Sequence, residues 1–491
     1  PITCLPQCEY KPPIGQFTPV QKYQWGDPAA PNTADSVMMA PIVIQLDDDT
    51  CDGLIDQRDI PEIVFATFKD SNYNGDGTLH AISIIDQTVV HKWSVNEGAI
   101  SPIHPGRSIA AGNIDGIPGN EIVVCTTDFR VRAYDGQGNQ LWLSPASVSC
   151  FMPSIADLDQ DGDVEVIVES QILDGKTGIP VALMNPPNTS NVIVSDIDGD
   201  GFLDIVTPSA AYHADGTQFV NTGLTALYPA IGDLDKDGIP EVVVANKAAH
   251  ELIIWHYDPN LPGSFGIIRQ HIDINGPLSP SLCPVNSAGF KSGGGPPTVA
   301  DFNGDGFPDV ALAGGVGYAV FDGVKLMDPL IPDDQTNLWI TQTQDCSSAA
   351  TGSSVFDFDG DGQAEVVYAD EVKLHIYAGI DGAPLWETCN TSGTLYEYPL
   401  VADVDNDGQA DIIVASNSYS AVLCPGSVKT AGIRIFGDAN GNWVRTRRVW
   451  NQHPYHVTNI DEDGTVPQVE QANYSSPKLN NFRQNVQPLG E

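Results

Sequence analysis

At 491 residues the chain is longer than the ~150-residue scale of one ordinary core, and it carries 64 acidic against 22 basic residues for a net charge of −42. That balance excludes a nucleic-acid partner, whose phosphates demand a basic footprint, and docking on an anionic membrane surface. Glycine (47) and proline (37) favour short turns over long helices. No apolar run is long enough to predict a transmembrane helix or direct membrane insertion.

Residues 1–36 form a Pro-rich segment in which QKYQWGD (21–27), with Trp25, resembles the outer strand of a repeat and is a candidate for closing a ring. From 37 to 450 one unit recurs, marked by an acidic nonapeptide of the form D-x-[DN]-x-D-G-x-x-[DE]. Six copies fit without exception: 157–165, 196–204, 233–241, 301–309, 357–365 and 403–411. Two frames are degenerate. Residues 113–121 lack the middle acid and its glycine, while 47–62 keep Asp52-Gly53 and Asp56 but are lengthened before Glu62. After each loop comes a β-branched run such as IVFATF, VVVAN or IIVAS. A third apolar run ends near a DG or GN turn, and a fourth carries tryptophan at 93, 142, 339, 386 and 443.

Each unit therefore reads as four short strands joined by tight turns. Such units predict an all-β fold, a single β-propeller of eight four-stranded blades (seven is the alternative count), with very little helix. Tandem β-sandwiches would need about seven strands per unit. Roughly 258–297 reads as an insertion between the fifth and sixth units, and its KSGGGPP run predicts a flexible surface loop. Residues 451–491 are left as a C-terminal tail. Arg445, Arg447, Arg448, Trp450, His453, Tyr455 and His456 are the one basic and aromatic concentration, read as a closing strand or, alternatively, as a lyase-like site.

The acidic loops point to Ca²⁺, which prefers six to eight oxygen ligands at 2.3–2.6 Å. In 196–204 the alternation turns Asp196, Asp198 and Asp200 toward one centre, Gly201 permits the sharp turn, and Asp204 closes the shell. The same reading gives Asp157, Asp159, Asp161 and Glu165, and then Asp233, Asp235, Asp237 and Glu241. It continues with Asp301, Asn303, Asp305 and Asp309, and with Asp357, Asp359, Asp361 and Glu365. The last set is Asp403, Asp405, Asp407 and Asp411, and Asp52 and Asp56 are ligands in a modified geometry. A turn needs no acid at all four places, and oxygen ligands without His or Cys exclude zinc and copper. About six Ca²⁺ are expected, seven or eight if the degenerate loops also bind; six would bring −42 to about −30.

Nine cysteines (4, 8, 51, 125, 150, 283, 346, 389 and 424) form no CxxC pair. Scattered in this way they predict disulfides and an oxidising compartment, with an odd thiol free or joined to another chain. The chain starts at Pro1 without a signal-peptide pattern and reads as a mature or trimmed form.

The frame A-D-x-[DN]-x-D-G-x-x-[DE]-[IV]-[IV] resembles the FG-GAP/VCBS repeat of integrin α-subunit propellers and of many secreted bacterial proteins, over roughly 37–450. The resemblance implies calcium in each loop, between the first two strands of a blade. It also implies a secreted or cell-surface module for adhesion or assembly, binding a glycan or protein ligand on a surface or matrix, with self-assembly as a further option. An extracellular polysaccharide lyase and a structural subunit of an extracellular polymer are the alternatives. GxSxG and HExxH are absent, and no second basic cluster is present to hold a polyanion. Binding or structural roles are therefore favoured over catalysis.

Overall fold

A computed structural model describes residues 17–488 apart from 99, 146–148, 189 and 477, so that Cys4 and Cys8 lie outside the described residues. The β-branched runs form strands because both their faces are covered. In Glu241–Asn246, for example, Val242, Val243 and Val244 are all fully buried. Eight antiparallel sheets result, seven of them meanders of sequential strands, and the expected all-β, eight-bladed propeller is the fold.

Blade 1 runs from Ser36 to Val95, its innermost strand split into Ser36–Val37 and Ile42–Ile44. Blades 2 to 7 start at Ile109, Ser154, Ile193, Leu227, Thr298 and Ser353. Blade 8 takes three strands from Leu400 to Asp438 and its fourth, Pro19–Trp25, from the other end of the chain. The register runs from Pro19 opposite Asp438 to Trp25 opposite Ile433, so the ring is closed by pairing distant segments within one blade. The described helices are short, the longest α-helix being the five residues Gly323–Met327.

Tryptophans of outer strands lock neighbouring blades together. The Trp93, Trp142 and Trp339 indoles donate to the carbonyls of Gly136, Gly175 and Gly379, each in the next blade's third-to-fourth-strand turn. Gly178 shows what this requires: its φ is +66° and a Cβ there would lie 2.3 Å from the Trp142 ring. Trp142→Ala is therefore expected to cost about 3–5 kcal/mol. Urea denaturation checks this, and an unchanged midpoint would contradict the inter-blade role.

Three sequence expectations are corrected. Within the supposed insertion 258–297, Phe265–Asp273 is the fourth strand of blade 5, paired with Glu251–Tyr257. It was hard to read because an outer strand is largely solvated and this one carries no tryptophan. The KSGGGPP run is not a surface loop. Gly293, Gly294 and Gly295 are buried and donate to the carbonyls of Lys247, Ala349 and Ala313. A Cβ at Gly293 would sit 1.9 Å from the Gly314 oxygen, so close backbone packing accounts for the glycines. Trp443 lies in no strand; its ring packs 4.4 Å from that of Phe358.

The C-terminal segment runs through the middle of the ring. Trp450 exchanges backbone hydrogen bonds with Val43 of blade 1, and the Asn451 carbonyl accepts from Ala111 of blade 2. The Gln452 Oε1 accepts from Ile155 of blade 3, and Tyr474 donates to the Asp196 carbonyl of blade 4. Asn480 bonds Asp233 of blade 5, Phe482 pairs with Val299 of blade 6, and Gln484 with Val355 of blade 7. Asn485 donates to Val401 of blade 8. One segment thus touches the innermost strand or its loop in every blade. Trp450 and Tyr455 are fully buried, and Arg447 pairs with Glu462 while also donating to the carbonyls of Val457 and Ile460. His453 and His456 are each only 2% exposed, so the lyase-like reading of this segment has no accessible histidine to rest on.

Disulfides join Cys125 to Cys150, Cys283 to Cys346 and Cys389 to Cys424. Among the described residues Cys51 is free and exposed.

Candidate metal centres

In every blade the acidic loop joins the innermost strand to the second, so all eight loops lie at one end of the ring. The ninth position of each loop is the first residue of the second strand. Its carboxylate accepts the backbone N–H of the second position: Leu158 to Glu165 at 2.9 Å, Ile197 to Asp204 at 3.1 Å, Leu234 to Glu241 at 2.8 Å. The same bond fixes Asp309, Glu365 and Asp411, and also Glu62 and Glu121 in the degenerate loops. The sixth-position glycine N–H donates to the first aspartate, as from Gly162 to Asp157 (2.8 Å) and from Gly238 to Asp233 (2.9 Å). These glycines hold φ near +90°, for instance +89° at Gly201, a conformation most side chains resist.

The loops bring carboxylates together. Ligand atoms of Asp157, Asp159 and Glu165 lie within 4.8 Å of one another, as do those of Asp196, Asp198 and Asp200, and those of Asp233, Asp235 and Glu241. The Oδ1 of Asp157 is buried without a hydrogen-bond partner. Like charges so close repel one another, and a bound cation would relieve that repulsion. The donor set, acidic oxygens around a glycine turn, fits Ca²⁺ and no softer metal. Asp301 and Asp305 stand in the equivalent loop with Asn303, whose amide donates to Asp305 at 3.2 Å. In 357–365, Asp357 accepts from Asp361 and Gly362, and Asp359 is buried beside them. His213, which the sequence reading overlooked, has its Nδ1 3.3 Å from Asp204 and stacks on Phe219. It arrives from the end of the third strand, a place no loop motif marks.

Burial, and then the neighbouring carboxylates, push Glu165 and Asp204 up to about 8, Glu241 up to about 9 and Asp309 up to about 7. Unfolded carboxyls titrate near 4. Between about pH 4 and pH 8 the metal-free native state therefore holds more protons than the unfolded one, and its stability falls as pH rises through that window. Melting in the chelator BAPTA should drop from pH 6 to pH 8.5, and excess calcium should flatten the slope. A metal-free midpoint that climbs with pH would contradict this electrostatic picture.

Blade 1 departs from the sequence reading in part. Asp52 and Asp56 belong to a small loop, 48–56, in which Gly53 donates to Asp48 at 2.8 Å, as the sixth position does elsewhere. Asp48 went unnoticed because Thr50 replaces the third-position acid. Arg58 pairs with both Asp52 (2.7 Å) and Asp56 (2.5 Å). The group equivalent to the other blades' loops is Asp47, Asp49 and Glu62, with ligand atoms within 4.8 Å of one another. In blade 8 the Lys22 ammonium lies 2.6 Å from Asp405, 2.8 Å from Asp407 and 3.1 Å from Asp411, while Arg448 stands 3.6 Å from Asp403. In blade 2, Asn113 donates to the Ile117 carbonyl and accepts from Gly116, so its amide serves the turn itself.

The family model for the FG-GAP-like repeat matches residues 233–312 and 357–414. The crystal structure of the V. cholerae biofilm matrix protein Bap1 is similar with a TM-score of 0.77 at 20% identity, covering 96% of this chain and all of that one. The exotype rhamnogalacturonan lyase YesX is similar with a TM-score of 0.50 at 15% identity, covering 82% of this chain and 72% of that one. At such identities the likeness is one of fold. A search of curated proteins by sequence gave no significant match. Ring, loops and repeat model together define an eight-bladed β-propeller. The stretches similar to the FG-GAP-like repeat lie in blades 5 and 6 and in blades 7 and 8.

Proposed function

We propose that this chain is an extracellular, calcium-loaded propeller that acts as a binding or matrix module for glycans or proteins. The observation that carries the reading is the set of acidic loops repeated around one end of the ring, whose close carboxylates need divalent cations to stand together. Similarity to a biofilm matrix protein over 96% of this chain and all of that one supports the matrix role. The three disulfides support an oxidising, extracellular setting. No described helix is long and apolar enough to cross a membrane. Because the C-terminal segment fills the middle of the ring, a ligand would bind on the end faces or the outer walls rather than through a channel. A glycan array, run in calcium and again in EGTA, tests the reading together with pull-down on matrix proteins. Calcium-dependent capture of a defined glycan or matrix protein is the expected result. Equal capture with and without calcium, or none, would count against it.

A further inference from the structure

The outer strand of every blade carries a β-bulge at one equivalent place. In blade 7, Pro384 pairs with Tyr377 and Trp386 with Ile376, so Leu385 is skipped; in blade 2, Leu141 is skipped between Gln140 and Trp142. The skipped residue is Val181 in blade 3, Phe219 in blade 4, Ile268 in blade 5 and Leu338 in blade 6. In blades 8 and 1 it is Lys22 and Lys92. Bulges re-aim a side chain, and both lysines are aimed into their own blade's acidic loop. Lys92 Nζ lies 2.6 Å from Asp47, 3.2 Å from Asp49 and 3.7 Å from Glu62, repeating the Lys22 arrangement in blade 8. Room for the Lys22 stem is built in: a Cβ at Gly437 would lie 2.4 Å from its Cδ and 2.9 Å from the Asp411 Oδ1. Tyr23 adds a hydrogen bond to Asp405 at 2.8 Å.

We propose that Lys22 and Lys92 are the resident cations of the loops in blades 8 and 1, and that these two loops take no calcium although their acids are in place. An ammonium bonded to three carboxylates stands where a Ca²⁺ at 2.3–2.6 Å from the same oxygens would have to be. The second ion would meet it at close range with like charge. The loop 403–411, complete as a motif, therefore does not fit the metal. The consequence falls on ring closure. Pro19–Trp25, the strand brought from the other end of the chain, is tied to its blade by a covalently attached cation, so closure does not depend on ambient calcium.

This inference rests on calcium binding by the remaining complete loops, and the experiment separates the two. Calcium bound per chain is measured by equilibrium dialysis and elemental analysis for the wild type, Lys22→Met, Lys92→Met and Leu385→Lys. Each lysine-to-methionine change should raise the bound calcium by one ion, and Leu385→Lys should lower it by one, at otherwise unchanged conditions. Unchanged stoichiometry in Lys22→Met together with a calcium-loaded wild type would overturn the inference. A wild type with no bound calcium would instead overturn the calcium reading itself. Should Lys22→Met fail to fold, Leu385→Lys decides the matter: full calcium binding with a lysine at that bulge contradicts the proposal.

Discussion

Stripping calcium with EGTA at pH 7.5 is expected to lower the melting temperature by about 10 °C or more, the largest single effect that solution conditions should have on this protein. Each site that binds metal only in the native state adds RT ln(1 + [Ca]/Kd), about 2.7 kcal/mol at a hundredfold excess over Kd. The carboxylates drawn together in 157–165, 196–204 and 233–241 are the ground for this expectation: in the absence of a cation, burial and mutual repulsion act on the same acids. Blades contact mainly their neighbours, so the loss should accumulate blade by blade rather than appear as one step. Differential scanning calorimetry in calcium and in EGTA measures it. A midpoint that does not move would mean that the loops are turns and nothing more.

Deleting the C-terminal segment from residue 446 onward should be more damaging than any surface change, because it removes hydrogen bonds to the innermost strand or loop of all eight blades. It also leaves Val43, Ala111 and Val299 with backbone groups that no water-filled loop was built to serve. The graded version is Trp450→Ala. That ring is fully buried and stacks on Tyr455 at 4.4 Å, so truncation should cost about 3–5 kcal/mol. Limited proteolysis and urea denaturation give the readout. A truncated chain that melts with the full-length protein would show that the segment only rests on the ring.

The loops and the blade count were legible because both are local and repeated. A nine-residue acidic frame followed by a β-branched run fixes two strands and the turn between them, and Val242–Val244 or Ile412–Val414 need no distant partner to be recognised. The strand Pro19–Trp25 could be suspected from its tryptophan, yet its pairing with Gly432–Asp438 spans most of the chain. What was not legible is tertiary. The course of the C-terminal segment, which buries Trp450, Tyr455 and Phe482, depends on which carbonyls the innermost strands leave open toward the centre. The glycines at 293–295 look like a flexible loop until the Gly314 backbone is seen against them. The lysines at 22 and 92 carry no motif, since a bulge that swings one side chain into a loop is visible only in strand register. Blade 1 misled for a related reason: Asp52 and Asp56 catch the eye, while the equivalent group is Asp47, Asp49 and Glu62, split by an inserted turn.

The central claim is that metal is part of this fold, and the most direct measurement is the calcium content of the purified protein after exhaustive dialysis against micromolar calcium. The complete loops whose carboxylates hold no lysine from the outer-strand bulge, at 157–165, 196–204, 233–241, 301–309 and 357–365, predict about five ions per chain. A protein that is folded, melts normally and carries no calcium would contradict the account.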